Sequence, residues 1–228
     1  MSVVQVEIAV DSLASARAAR AGGAARVELC AALRDGGLTP PADLLAAAVA
    51  EGIVCFVMIR PRPGDFVYDD AELEAMRRAI RRARHAGARG IVTGALTGDG
   101  GRIDEAAMRP LIDEAGDLPV TFHRAFDRLA DLPAALEALV GLGVARVLTS
   151  GGAATATAGA DAIADLVARA DGRIGILPGG GVREANVREL IARTCVTEVH
   201  TQLRESFDEV VDSGRVRRFV QLLHPDHD

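Results

Sequence analysis

The chain has no tryptophan and only one tyrosine among 228 residues, yet 49% of it is hydrophobic, which is enough to bury a full globular core. Its three cysteines, Cys30, Cys55 and Cys195, are odd in number, widely spaced and without a CxxC pair. Neither a disulfide framework nor a zinc knuckle is expected, and reduced thiols fit a cytoplasmic location. No apolar run approaches the roughly 20 residues of a membrane span, and MSVVQVEIAVD enters a strand-like pattern without a charged leader, so no membrane partner is expected. A large excess of charge of one sign is missing too. Lys+Arg 26 and Asp+Glu 32 are mixed along the chain for a net −6, and no basic stripe is present to track a nucleic-acid backbone.

What the chain does have is a rhythm. Short β-rich segments alternate with alanine-rich amphipathic stretches, and Gly, Pro or Asp marks nearly every changeover. Strands are predicted at 3–10, 26–30, 54–60, 90–93, 119–123, 146–149, 173–178 and 196–200. Helices are predicted at 12–21, 41–51, 70–85, 104–115, 131–140, 160–170, 184–193 and 215–223. GGAARVEL, GARGIVTG and GVARVLTS form a weak internal repeat, each passing through glycine from a helix end into a strand. Eight such units predict an α/β fold, a (β/α)8 barrel in a single domain over residues 1–228; a doubly wound open sheet is the main competitor.

Successive strand residues face opposite sides, so parity tells which side chains enter a barrel. In VVQVEIAV the apolar face is Val4, Val6, Ile8 and Val10, which turns Gln5, Glu7 and Ala9 inward. The same rule sends Arg26, Glu28 and Cys30 inward, then Phe56, Met58 and Arg60, then Thr121 and His123, then Glu198 and His200. Barrel interiors are ordinarily filled by branched apolar residues, and a buried charge without a partner is costly. An internal ion-pair network that serves only packing is one explanation; a functional site is the stronger one.

Glu28, Arg60, His123, Thr149 and His200 fall at C-terminal strand ends, the face on which barrel active sites are built. A histidine near a carboxylate exchanges protons close to neutral pH, and an arginine holds a carboxylate or phosphate. The segment VTFHRAFDR adds Asp127 as an orienting or proton-transferring carboxylate, although Arg124 could pair with it to brace the loop. TSGG contributes Gly151 and Gly152, and PGGGVREANV contributes Gly179, Gly180 and Gly181, as backbone anion donors beside Arg60. The loop RPRPGDFVYDD, with Phe66 and Tyr68, reads as a lid or a subunit contact. No organic cofactor is indicated.

The strings VEIAVDS, RVELCAALRDGGLTPP, VMIRPRPGDFVYDDAEL, LTGDGGRID, TFHRAFDR, RVLTSGG, LPGGGV and EVH, in this order and spacing from about residue 3 to 201, resemble the CutC copper homeostasis proteins. The resemblance implies a TIM-like (β/α) barrel, a cytoplasmic homo-oligomer and a role in copper binding or tolerance, with Cys30 as the candidate copper ligand. Pro63 after RPR and Ala31 after ELC depart from the family's usual glycine and serine. Copper(I) prefers soft sulfur ligands, and the inward pair Cys30 and Met58 is the one parity offers; Cys55 and Cys195 read as buried small hydrophobes. Two functions follow. The chain is a copper-binding homeostasis factor centred on Cys30, or an enzyme using acid/base chemistry on a small anionic or phosphorylated metabolite, through Glu28, Arg60, His123, Asp127 and His200.

Overall fold

Residues 4–223 are described by a computed structural model. The alternation in QVEIAV places Val6, Ile8 and Val10 of β1 (Gln5–Val10) in the apolar layer beneath the helices. Seven further strands repeat the arrangement: β2 (Arg26–Leu29), β3 (Cys55–Met58), β4 (Gly90–Thr93), β5 (Val120–Phe122), β6 (Arg146–Thr149), β7 (Gly175–Pro178) and β8 (Glu198–Thr201). Each is followed by a helix: α1 (Leu13–Ala21), α2 (Ala42–Ala50), α3 (Asp70–His85), α4 (Glu105–Ala115), α5 (Leu132–Gly141), α6 (Ala160–Ala170), α7 (Val187–Thr194) and α8 (Ser213–Leu223). Every helix core agrees with the periodicity to within a few residues. Val3, the first residue of the expected first strand, lies outside the described residues.

Helix starts follow local chemistry. Asp69 accepts from the Glu72 amide while Glu72 returns a bond to the Asp69 amide, a complete capping box on α3; Asp104 and Asp131 cap α4 and α5. Two short 3-10 turns, Leu33–Asp35 and Arg124–Arg128, were not legible in the sequence.

All strand pairs are parallel, in the order β7-β6-β5-β4-β3-β2-β1-β8. This is a nearly closed TIM-like barrel, and the doubly wound alternative is excluded because β8 pairs with β1. The β7 and β8 edges face each other without a ladder among the described residues. There, a side chain at Gly175 would stand 2.7 Å from a Glu198 carboxylate oxygen, and one at Gly179 would stand 3.3 Å from the His200 ring. Glycine on β7 therefore makes room for the polar residues of β8.

Two apolar clusters separate cleanly. The large one joins Val27, Leu29, Cys55, Val57, Val120 and Phe122 to the helices. The small one, inside the barrel, holds Ala9, Cys30, Leu33, Phe56, Met58 and Val92. Parity assigned these faces correctly. Cys195 departs from expectation: it is exposed, in the left-handed conformation that ends α7.

Candidate functional site

The register of β1 sets Glu7 beside Arg26 on β2 and His200 on β8. The Arg26 guanidinium donates from Nε to Glu7 at 2.5 Å and from Nη2 to Glu198 at 2.7 Å, and Arg146 Nε donates to the other Glu198 oxygen at 3.0 Å. Both guanidinium groups lie 5.0 Å from the Phe56 ring centre. That ring has space because β4 opposes it with Gly90, where a Cβ would meet Phe56 at 2.3 Å. The lower barrel is thus a closed ion-pair layer around one aromatic ring, and Arg146, which parity had not singled out, is a member.

Above it lie the titratable groups. His200 Nδ1 is 2.7 Å from Glu7 Oε1, and His200 Nε2 is 4.0 Å from Glu28 Oε2. Burial works against the Glu7 anion, but the His200 hydrogen bond and the Arg26 charge hold this carboxyl well below its usual range. Burial pushes Glu28 upward, and its Oε1 has no hydrogen-bond partner among the described residues. Burial also opposes the His200 cation, but the Glu28 charge and the Glu7 hydrogen bond outweigh it and raise this imidazole. The Cys30 thiol donates to Glu28 Oε2 at 3.4 Å, and burial and the Glu28 charge push it far above an ordinary thiol.

These residues open into a cavity of about 440 Å³ at the C-terminal strand ends. Glu28, Arg60, His123 and His200 all line it, together with Gly180 and Gly181. Arg60 is 5% exposed and is held by the carbonyls of Asp35, Gly37 and Gly64, with no carboxylate partner among the described residues. Its guanidinium carbon lies 4.9 Å from the Phe66 ring centre, and that ring packs at a tilt of 52° against His123, with 4.8 Å between ring centres. The 60–70 loop therefore supplies a cavity wall through Phe66.

His123 Nδ1 accepts from the Ala125 amide at 3.3 Å, which assigns the proton to Nε2; Nε2 is buried and has no partner among the described residues. Burial and the Arg60 charge lower the His123 pKa to about 3, so this imidazole is neutral at physiological pH.

The remaining expectations are corrected. Asp127 does not line the cavity. Its carboxylate accepts from Arg124 Nε at 2.8 Å, from the Ser150 amide at 3.0 Å and from the Gly152 amide at 3.1 Å, while Thr149 donates its hydroxyl to it as well. Gly151 and Gly152 therefore present no free anion site: Asp127 engages the Gly152 amide, and the Gly151 amide donates to Thr149 Oγ1 at 2.9 Å. Thr149 belongs to this brace instead of converging with His123. The Gly179 amide donates to the Thr149 carbonyl, and its bare Cα faces Leu148 and His200, a packing role. Asp127→Asn would set an amide N–H against these donors; a loss of about 1–3 kcal/mol in chemical denaturation is expected, and a loss below about 0.5 kcal/mol would show that the loop does not depend on the brace.

Sequence reasoning left Phe66 open between a lid and a subunit contact, and it missed Arg128, over the same ring at 5.3 Å, and Arg183, beyond the glycine triplet, which also line the cavity. All three lay inside quoted strings, but nothing in their spacing gave their direction.

Among the described residues, Glu7, Glu28 and His200 bring three possible metal-ligand atoms within 4.8 Å of one another. No helix among the described residues is long and apolar enough to cross a membrane. The CutC family model matches residues 4–205. A CutC family protein of Xanthomonas axonopodis pv. citri is 51% identical over 200 residues, covering 87% of this chain and 83% of its own. A mouse protein named copper homeostasis protein cutC homolog is 47% identical over 204 residues, covering 89% and 75%. The crystal structure of CutC from Streptococcus agalactiae superposes with a TM-score of 0.82 at 34% identity, covering 88% of this chain and 100% of that one. With a family model spanning most of its length and relatives this similar, the chain belongs to the CutC copper homeostasis family.

Proposed function

We propose that this chain takes part in copper homeostasis by binding copper(I) as cargo inside the barrel mouth, with Cys30 as the central ligand. The observation that carries the reading is the inner cluster that packs Cys30 with Met58, next to the Glu28 and His200 side chains that reach the cavity. A thiol and a thioether are the soft donors copper(I) selects, and His200 Nε2 can join them because its other nitrogen is already held by Glu7. The three-residue group Glu7, Glu28 and His200 is a harder set, and Glu7 is engaged by Arg26 and His200, so the sulfur pair suits copper(I) better. A thiol must lose its proton to bind metal, and Glu28 is an acceptor 3.4 Å away. Such a site needs a reduced thiol, in keeping with a cytoplasmic location.

The test is titration of reduced protein with copper(I) against a competing chelator. One tight equivalent is expected, weakened at least about 100-fold by Cys30→Ala and about tenfold by Met58→Leu. Binding that is superstoichiometric, or unchanged in Cys30→Ala, would overturn the reading.

A further inference from the structure

We infer that the outer part of the same mouth is a binding site for a small metabolite carrying a phosphate at one end and a carboxylate or carbonyl oxygen at the other. The inference does not depend on copper. It rests on donors that have no acceptor. Arg60 brings a buried positive charge to the cavity wall with no carboxylate against it, and its Nε lacks a partner among the described residues. His123, 3% exposed, lines the same cavity, and its buried Nε2–H is also without an acceptor among the described residues. Native structures rarely leave such groups unpaired, and two in lining residues of one cavity, both against Phe66, call for an oxygen acceptor when a ligand enters.

The opposite rim is built for a second anionic group. Gly180 and Gly181 follow β7 with φ of 94° and 75°, and their amides have no protein acceptor among the described residues. Gly180 favours glycine, since its φ of 94° strains any side chain and a Cβ there would also crowd Arg124 Nη1 at 3.1 Å. Half-buried Arg183 lines the cavity beside them; it donates to the Val182 carbonyl and has no carboxylate partner among the described residues. Consecutive free amides beside an arginine, on a late barrel loop, suit a phosphate. The Arg60 and His123 wall would then take the carboxylate or carbonyl end.

The experiment is calorimetric titration of copper-free protein, kept reduced and under a copper(I) chelator, with inorganic phosphate, 2-phosphoglycolate, malonate and, as neutral control, glycerol. Phosphoglycolate is expected to bind at least tenfold more tightly than phosphate or malonate, and glycerol not at all. Arg183→Gln should weaken phosphate and phosphoglycolate at least tenfold. His123→Gln should weaken phosphoglycolate and malonate while leaving phosphate unchanged, which separates the two ends. Arg60→Met is not used alone, because Arg60 also ties three loop carbonyls. Cys30→Ala should bind phosphoglycolate as the parent protein does, so failure of the copper reading would leave this one standing. No saturable binding of any of the three anions, phosphoglycolate no tighter than phosphate, or affinities unmoved in both Arg183→Gln and His123→Gln would each overturn it.

Discussion

Arg26→Met is expected to lower the unfolding free energy by about 3–5 kcal/mol, the range found when one partner of a buried ion pair is removed. The Glu7 side chain is 1% exposed and depends on Arg26 for charge compensation, while Glu198 retains Arg146. Methionine can follow the arginine stem past Phe56, so the cost is electrostatic more than steric. In a chain of this length the change corresponds to a fall of roughly 6–20 °C in Tm. Adding Glu7→Gln to Arg26→Met should recover part of the loss by removing the stranded charge, although His200 then loses its anionic partner. A single-variant loss below about 1 kcal/mol would mean that water or rearrangement replaces the guanidinium, and the layer would not be the electrostatic core described above.

The second large effect is a dependence on acid. His123 has its pKa lowered from the ordinary 6.5 to about 3. The folded protein keeps this ring neutral where the unfolded chain protonates it, so the folded state loses ground as pH falls from 6.5 toward 3. Above 6.5 both states are neutral and the contribution is flat. The linkage amounts to roughly 1.4 kcal/mol per pH unit inside the window, or about 2–3 kcal/mol between pH 7 and 4.5. Glu7, whose pKa is lowered by folding, adds a loss in the same direction at more acid pH. Denaturation of the parent and His123→Gln proteins at pH 7, 5.5 and 4.5 isolates the histidine. The gap between them should shift by about 2–3 kcal/mol toward the variant on acidification; parallel curves would show that His123 protonates freely in the folded protein.

Much of the fold is legible in the amino-acid sequence. The alternation of VQVEIAV and RVELC was enough to send Glu7, Arg26 and Glu28 inward, because a strand has only two faces and helices cover the apolar one. Helix positions followed from periodicity and from aspartate caps such as Asp69 and Asp104, whose chemistry is local. Fewer details of the site were open to that reasoning. Asp127 looked like a catalytic carboxylate beside His123, but a 3-10 turn directs it to the Ser150 and Gly152 amides, and the strand pattern contains no trace of that turn. Gly151 and Gly152 looked like anion donors, but the chain supplies their acceptors: the Gly152 amide bonds the Asp127 carboxylate and the Gly151 amide bonds the Thr149 hydroxyl.

Local rules therefore account for the order of elements, the inward-facing set and the end of the barrel where it gathers, since each depends on neighbours a few residues apart. Partnership is different. That Glu7 is shared by Arg26 and His200, that Arg60 finds carbonyls but no carboxylate, and that Phe66 closes over both Arg60 and His123 depend on strand register and loop path. The contacts of Glu7 with His200 and of Arg34 with Asp208 join residues more than 170 positions apart. Only barrel closure between β1 and β8 sets those distances, and with them the difference between a paired charge and a free one.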